Sequence, residues 1–297
     1  MKALERHRKL TWMALAMDMT VNLVESSNEP RQTSDFVVPL AATATPETPP
    51  SLPQTKAPEI PAYLRDVYYW AYLSPRNVRL LDRELVVKAI LWGQHRHLRK
   101  RALAELEPGQ KILQPACVYG EFSPALAKYL GPRGRLEVID VAPIQVAACR
   151  RKLVNFPQAM ARRADARRPG DRIYDAVCCY FLLHELPEDC KRAVVDSLLE
   201  RVGPGGKVVF VDYHKPHWAH PLKAVTSLVF DTLEPFAKGL WRQEIKEFAS
   251  NPGPYDWRKE TYFGGLFQKV VAQREPLSIT AQSRMCPDFN ETPQEDG

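Results

Sequence analysis

The chain lacks any apolar run approaching the roughly 18 residues that a membrane-spanning helix requires. Its longest uncharged stretch, Phe36 to Pro46, is made of Pro, Thr, Ala and a few larger residues. No pair of cysteines has the CxxC spacing of a metal knuckle or redox motif. The six present (Cys117, Cys149, Cys178, Cys179, Cys190, Cys286) sit mostly in apolar runs, which predicts reduced core thiols in a cytoplasmic protein without disulfides or a zinc cluster. Charge of one sign is also scarce: 41 Lys and Arg face 35 Asp and Glu, a net +6. That balance favours anionic surfaces but is less lopsided than in dedicated DNA binders, and no aromatic RNA-stacking motif is present, so nucleic acid is not an expected partner. Internal repeats and heptad arrays are absent too, which excludes solenoids and coiled coils.

What is present is a 45% apolar, 9% aromatic composition, enough to bury a sizeable core. The 26 prolines cluster in residues 30–62. Residues 1–20 are basic and then apolar, but Asp18 interrupts the run, so a frayed helix is expected there rather than a targeting segment. Residues 26–58 lack helical or strand periodicity, and 1–58 are therefore read as a disordered N-terminal extension. From 59 to 107 apolar residues recur at helical spacing, broken at Ser74-Pro75, and two or three helices are expected to form a cap. After Pro108-Gly109 short apolar runs alternate with helical ones: KILQPAC, SPALAKYL, RLEVIDV, PIQVAACRRKL, YDAVCCYFLL, DCKRAVVDSLLERV and KVVFVDY. This alternation predicts a parallel sheet with helices on both faces over 108–275. Residues 217–257 read as an amphipathic helical insertion, TYFGGLFQKVVAQR as a closing strand pair, and 276–297 as a flexible tail.

Ligands of such sheets bind beyond the carboxyl ends of the strands. The turn after the first strand is QPACVYGEFS, the second strand ends in Asp140, the third near Asp165-Ala166, and the fourth runs into FLLHELPED. An acid at the tip of the second strand suits a ribose diol, because a carboxylate accepts from both hydroxyls.

In order and spacing these stretches resemble the class I S-adenosylmethionine-dependent methyltransferases, notably the quinone-methylating branch, over Leu106 to Arg274. The resemblance implies an α/β Rossmann-like class I methyltransferase fold, with a seven-stranded, mostly parallel sheet under the helical cap. It also implies S-adenosylmethionine binding by Gln114, Ala116, Cys117, Val118, Gly120, Asp140, Val141, Asp165, Ala166, Tyr180 and Phe181. The first turn departs from the family pattern. Gln114 stands where an acid holds the methionine ammonium, and Ala116 and Val118 replace glycines, leaving only Gly120. A β-branched Val resists positive φ and projects two methyls toward the cofactor channel.

A further resemblance covers residues 60 to 274. YLRDVYYWAYLSPRNVRLLDRELVVKAILWGQHRHLRKRAL, ACVYGEFS, CCYFLLHELPED and TYFGGLFQKVVA together look like the bacterial rhodoquinone-biosynthesis proteins, which are methyltransferase homologues. That resemblance implies replacement of a ring methoxy group of ubiquinone by an amino group, with S-adenosylmethionine as nitrogen source and a divalent metal such as manganese assisting. Peripheral attachment to the cytoplasmic membrane follows from the lipophilic substrate, and no protein partner is expected. The departures have a matching physical reading: a neutral amide at Gln114 withdraws the charge that would keep the cofactor's amine protonated. An ordinary methyltransferase acting on a prenylated quinone or phenol, and a non-catalytic quinone-binding scaffold, stand as alternatives.

Several residues each admit two readings. Tyr119 could donate to a quinone carbonyl or simply pack in the wall. His184, with Glu185, could act as base, orienter or metal ligand, or cap the next helix and pack on Tyr180. Asp212, His214 and His217, with His220 beyond them, could hold a divalent ion or face solvent. Cys117 reads as a small buried thiol. Trp92, His95 and His97 fit a lid over the pocket or a core-packing helix, and Trp92 and Tyr213 complete the expected substrate contacts. The eight basic side chains of Arg150–Arg172, and the insertion with Trp218, Phe230 and Trp241, could meet an anionic bilayer or form ordinary surface and pocket walls.

Overall fold

The computed structural model describes residues 58–276. The expectations for the N-terminal extension, for the tail and for Cys286 lie outside them.

Seven strands form one sheet in the order β3-β2-β1-β4-β5-β7-β6. They are β1 Lys111–Gln114, β2 Arg135–Asp140, β3 Ala159–Arg163, β4 Tyr174–Tyr180, β5 Val202–Tyr213, β6 Tyr255–Tyr262 and β7 Phe267–Arg274. The first five pair in parallel, and β7 runs antiparallel between β5 and β6. The parallel sheet is the one that the strand-helix alternation predicts, and its order is that of the Rossmann-like class I methyltransferase fold that the resemblance implies.

The uninterrupted apolar runs have a direct cause: both faces of the sheet are covered, so successive residues must all be apolar. Ile112, Ala176, Cys178, Val209 and Val211 enter one core, with Leu126 and Leu130 of α5 (Phe122–Leu130) and Val146 of α6 (Pro143–Lys152). Leu113, Val177, Cys179, Val208 and Phe210 enter the other, against Val194, Val195 and Leu198 of α7 (Glu188–Leu199). Adjacent Cys178 and Cys179 thus point to opposite faces. The five cysteines of the described residues are free and buried.

The cap is more broken than expected. It comprises four short helices, α1 Ala62–Asp66, α2 Pro75–Leu81, α3 Glu84–Ile90 and α4 His95–Leu103, with a single π-type turn at Tyr69–Leu73. Pro75 can begin a helix but not continue one. At Trp92-Gly93 both residues take left-handed φ, +49° and +78°, and end α3. Helix α4 buries Leu98 and Ala102 completely in the first core and packs against β5, so it is a core helix and not a lid.

The insertion is helical only over α8 Lys223–Thr232, α9 Gly239–Arg242 and a 3-10 turn at Ile245–Phe248. Strand β6 begins at Tyr255, inside the stretch read as helical to 257, because Tyr255 and Trp257 alternate onto the second core. Lys191 of α7 ties the insertion down. Its buried Nζ donates to Leu186 O (2.5 Å) and Phe236 O (2.9 Å), and burial pushes the ammonium down to about 8. No helix of the described residues is long and apolar enough to cross a membrane.

Candidate active site

The carboxyl ends of β1, β2, β4 and β5 lie at the same edge of the sheet, where the cap meets them. Gln114 ends β1 fully buried. Its Nε2 donates to Ala116 O (2.6 Å) and Ser123 Oγ (2.9 Å), while its Oε1 is buried with no hydrogen-bond partner among the described residues. The side chain therefore presents a neutral, unused acceptor at the position where the fold family binds the cofactor's amino group. S-adenosylmethionine fits this cradle by that orphaned oxygen.

The turn after β1 is held from three sides. Cys117 N donates to Asp140 Oδ2 (3.0 Å), Gly120 N donates to Asp82 Oδ1 (2.9 Å), and Lys152 Nζ donates to Val118 O, Gly120 O and Asp82 Oδ1 (3.1, 3.0 and 2.7 Å). The expected conflict at Val118 does not arise, because Val118 is not among the residues at positive φ and the turn's left-handed residue is Gly120, at +74°. A Cβ on Gly120 would meet Val87 Cγ2 of α3 at 3.1 Å, so the cap adds to the left-handed backbone in favouring glycine there. Lys152→Met should strip this staple, lowering stability by about 1–3 kcal/mol and weakening cofactor binding. Thermal melts and cofactor titration check it, and an unchanged melting temperature would show that the turn is held without Lys152.

Asp140 also accepts from Ala142 N (2.8 Å). Burial lifts its carboxyl to about 6 against the pull of the Ala142, Cys117 and Val141 N–H groups. Val141 packs with Leu64 and Tyr68 under the cap. Asp165 is forked by Arg167, whose Nη2 lies 2.7 Å from Oδ2, and Ala166 O accepts from Ser197 Oγ (2.6 Å). Contact with Cys149 and burial hold the Cys117 thiol well above its ordinary value, so it is no nucleophile at neutral pH.

The second half of the site follows β4. Phe181 takes a left-handed φ of +51°, strained for an aromatic residue, and this turn leads directly into the 3-10 turn Leu183–Glu185. His184, buried there, places Nδ1 2.8 Å from Asp212 Oδ1. Asp212 in turn accepts from Leu183 N (2.8 Å) and Tyr213 N (2.7 Å). Burial alone would push the imidazolium down, but the Asp212 charge and hydrogen bond, with Glu185 behind them, lift His184 to about 9. His184 Nε2 lies 3.8 Å from Glu185 Oε1. Burial raises Glu185 to about 8, against the pull of His184, and burial likewise raises Glu234 from the insertion. The Tyr72 hydroxyl donates to Glu185. Around the imidazole, Phe181, Tyr213, Phe230 and Phe267 form a largely edge-to-face aromatic cluster, with His184 to Tyr213 at 4.9 Å. Tyr180 stacks on Phe122 at 3.8 Å.

Three groups of candidate residues have other partners. Tyr119 donates its hydroxyl to Ala71 O (2.6 Å), accepts from Gln145 Nε2 (2.9 Å) and stacks on Tyr72 at 5.6 Å, contacts that suit its wall reading. Asp212, His214 and His217 do not converge on an ion. Asp212 is turned inward on His184, while the Nδ1 atoms of His214 and His217 engage Gly265 O and Ala219 N beyond the strand end. The residues therefore do not fit the metal that the resemblance implies, and no group of three metal-ligating side chains is found among the described residues. Trp92 packs against the first core, His95 Nε2 lies 3.1 Å from Glu84, and His97 meets Tyr262 edge-on, none of them as a lid. Sequence reasoning missed Glu234, Tyr72 and Gln145, and it gave Asp212 the wrong partner. Glu234, Tyr72 and Gln145 carry no local signal, and the acid two residues before His214 points away from its actual partner, His184.

A model of the methyltransferase domain matches residues 112–206, from β1 into β5. The chain is 23% identical over 190 residues to a demethylmenaquinone methyltransferase of Bacillus cytotoxicus, covering 62% of this chain and 76% of that protein. It is 30% identical over 131 residues to the ubiquinone/menaquinone biosynthesis C-methyltransferase UbiE of Cupriavidus metallidurans, covering 41% of this chain and about half, 52%, of the relative. Among solved structures, a protein from Nostoc punctiforme assigned as an O-methyltransferase superposes with a TM-score of 0.51 at 21% identity, over 64% of this chain and 59% of that one. The domain match spans about a third of the chain, and the fold is the Rossmann-like class I methyltransferase fold.

Proposed function

We propose that this protein uses S-adenosylmethionine to replace a ring methoxy group of ubiquinone by an amino group, the conversion that makes rhodoquinone. The observation that carries this reading is the neutral, half-used amide of Gln114 where the fold family places a carboxylate. A carboxylate would hold the cofactor's α-ammonium in its charged form, whereas an amide oxygen accepts one N–H and leaves the amine easier to deprotonate. When bound, S-adenosylmethionine would supply that amine as the nitrogen nucleophile: the ring–nitrogen bond forms as the ring–methoxy bond breaks. The nitrogen's bond to the cofactor's α-carbon is then broken by water, the quinone ring taking up the two electrons so that an amino-hydroquinone and a 2-oxo acid are left.

The chain's own residues do the rest. Asp140 takes the ribose hydroxyls, Asp165 and Ala166 flank adenine, and Tyr180 and Phe181 wall the channel. His184, kept protonated by Asp212, delivers a proton to the departing methoxy oxygen so that it leaves as methanol. Glu185, mostly neutral at pH 7, adds no second negative charge beside the ring. No step is assigned to a metal. Cytoplasmic location with peripheral membrane attachment belongs to the same reading, because the prenyl tail of the substrate lies in the bilayer.

The experiment is mass spectrometry of the quinone products after incubation of the full chain with ubiquinone and S-adenosylmethionine labelled at its amino nitrogen, with and without manganese. Labelled nitrogen on the ring with loss of methoxy is the expected result. An added ring methyl would favour the second reading, C-methylation of a prenylated quinone precursor, which the similarity to the two quinone-biosynthesis methyltransferases supports. Cofactor binding with neither product would overturn both.

A further inference from the structure

The helix pair α2–α3 sorts its charges by face. Both of its acids are engaged: Asp82 accepts from Lys152 and Gly120 N, and the part-exposed Glu84 carboxylate lies 3.1 Å from His95. Its basic residues Arg76, Arg79 and Arg83 are exposed, and no acid pairs with them among the described residues. At about 100° per residue, Arg76, Arg79 and Leu80 share one outward arc of α2. Leu80 is 38% exposed, Leu85 in the first turn of α3 is 75% exposed, and Ile90 at its end is 44% exposed. The outer surface of residues 76–90 is thus mainly cationic and aliphatic, its one part-exposed acid, Glu84, being engaged with His95, while its inner surface holds the cofactor turn through Asp82 and Val87.

From this geometry we infer that the outer face of α2–α3 docks on an anionic phospholipid bilayer. Exposed leucines that enter the acyl boundary beside unpaired arginines that meet lipid phosphates are the chemistry of an interfacial membrane contact. A soluble acidic partner would use the arginines but leave Leu85 without a purpose. The two surfaces that the sequence suggests for this role serve it less well. Arg150 is spent on Ala161 O, Arg162 and Arg172 on Glu137, and Arg167 on Asp165. The insertion turns Phe230 and Leu240 inward; it exposes Trp218 and Leu228, but no arginine lies between residues 215 and 241 to meet lipid phosphates beside them. Because Asp82 and Val87 contact the turn after β1, docking at this face would set the site edge of the sheet beside the membrane. The inference stands on the surface itself and does not depend on which reaction the site performs.

The test is co-sedimentation of the full chain with phosphatidylcholine vesicles that contain or lack phosphatidylglycerol. Binding should require the anionic lipid and weaken as salt rises. Reversing Arg76, Arg79 and Arg83 to Glu should lower the partition coefficient by about tenfold or more. Leu85→Glu should lower it several-fold, and it serves as an independent variant should the triple change impair folding. Cofactor titration should remain parent-like in both. Equal binding to neutral vesicles, or parent-like binding by both variants, would overturn the proposal. So would loss of a self-associated form by Leu85→Glu with vesicle binding intact, which would assign the face to a second copy of the chain.

Discussion

Replacing His184 by Gln should lower turnover by about a hundred- to ten-thousand-fold while cofactor affinity stays within a few-fold. The pH profile separates the two chemistries open to this residue. The Asp212 carboxylate lifts the imidazolium to about 9, so at neutral pH the pair is an acid. If His184 protonates a departing methoxy group, the rate should fall as pH rises through about 9, whatever rise the cofactor's free amine sets at lower pH. If it deprotonates a hydroquinone before methyl transfer, the rate should instead climb through the same range. Asp212→Asn sharpens the comparison. Without that charge burial dominates, and the imidazole should titrate below its ordinary 6.5, bringing the acid limb down with it. Coincident profiles for the Asn variant and the parent would show that Asp212 does not govern His184.

The same shifts bear on stability, with opposite signs. A histidine whose folded pKa is raised adds stability in full below about 6.5 and loses it as pH climbs through about 9. Glu185 is a carboxyl whose folded value is raised to about 8, so folding favours its neutral form and destabilises progressively from about 4.5 upward to about 8. Both contributions decline with rising pH, and the melting temperature should therefore drop between neutral and alkaline conditions. Glu185→Gln should flatten part of that decline.

The sheet was legible in the chain because its strands are buried on both faces. Runs such as AVCC and VVFV have no amphipathic alternative, and the Pro-Gly and Gly-Gly turns punctuate them. Gln114, Asp140 and His184 could likewise be placed at strand ends from order alone. What could not be read were contacts set by tertiary packing. Tyr119 in a tight turn looks available until Ala71 and Gln145 are brought to its hydroxyl from elements 48 residues before and 26 after it. Asp212 beside His214 looks like half of a metal site, yet strand pleating directs it inward to His184. Glu234 carries no local signal, and only the folding back of the insertion places it near His184.

Gln114→Glu is the substitution that tests the nitrogen-transfer reading most directly. The exchange is nearly isosteric but not neutral. It removes the donors to Ala116 O and Ser123 Oγ and sets a carboxylate 2.6 Å from a carbonyl oxygen, a loss of about 1–3 kcal/mol in stability. Bound cofactor offsets part of this, because the new carboxylate pairs with the α-ammonium and affinity should rise. That pairing opposes nitrogen transfer: raising the amine pKa by one to two units cuts its free-base fraction about 10- to 100-fold near neutral pH. The ratio of variant to parent rates, in which the His184 limb cancels, should thus be lowest in acid and approach unity above the amine's raised pKa. Methyl transfer from the sulfonium needs no free amine, and under that chemistry the same variant should keep its rate or exceed the parent. A deficit of equal size at every pH would mean that Gln114 shapes the turn alone and that the missing carboxylate has no bearing on the cofactor's amine.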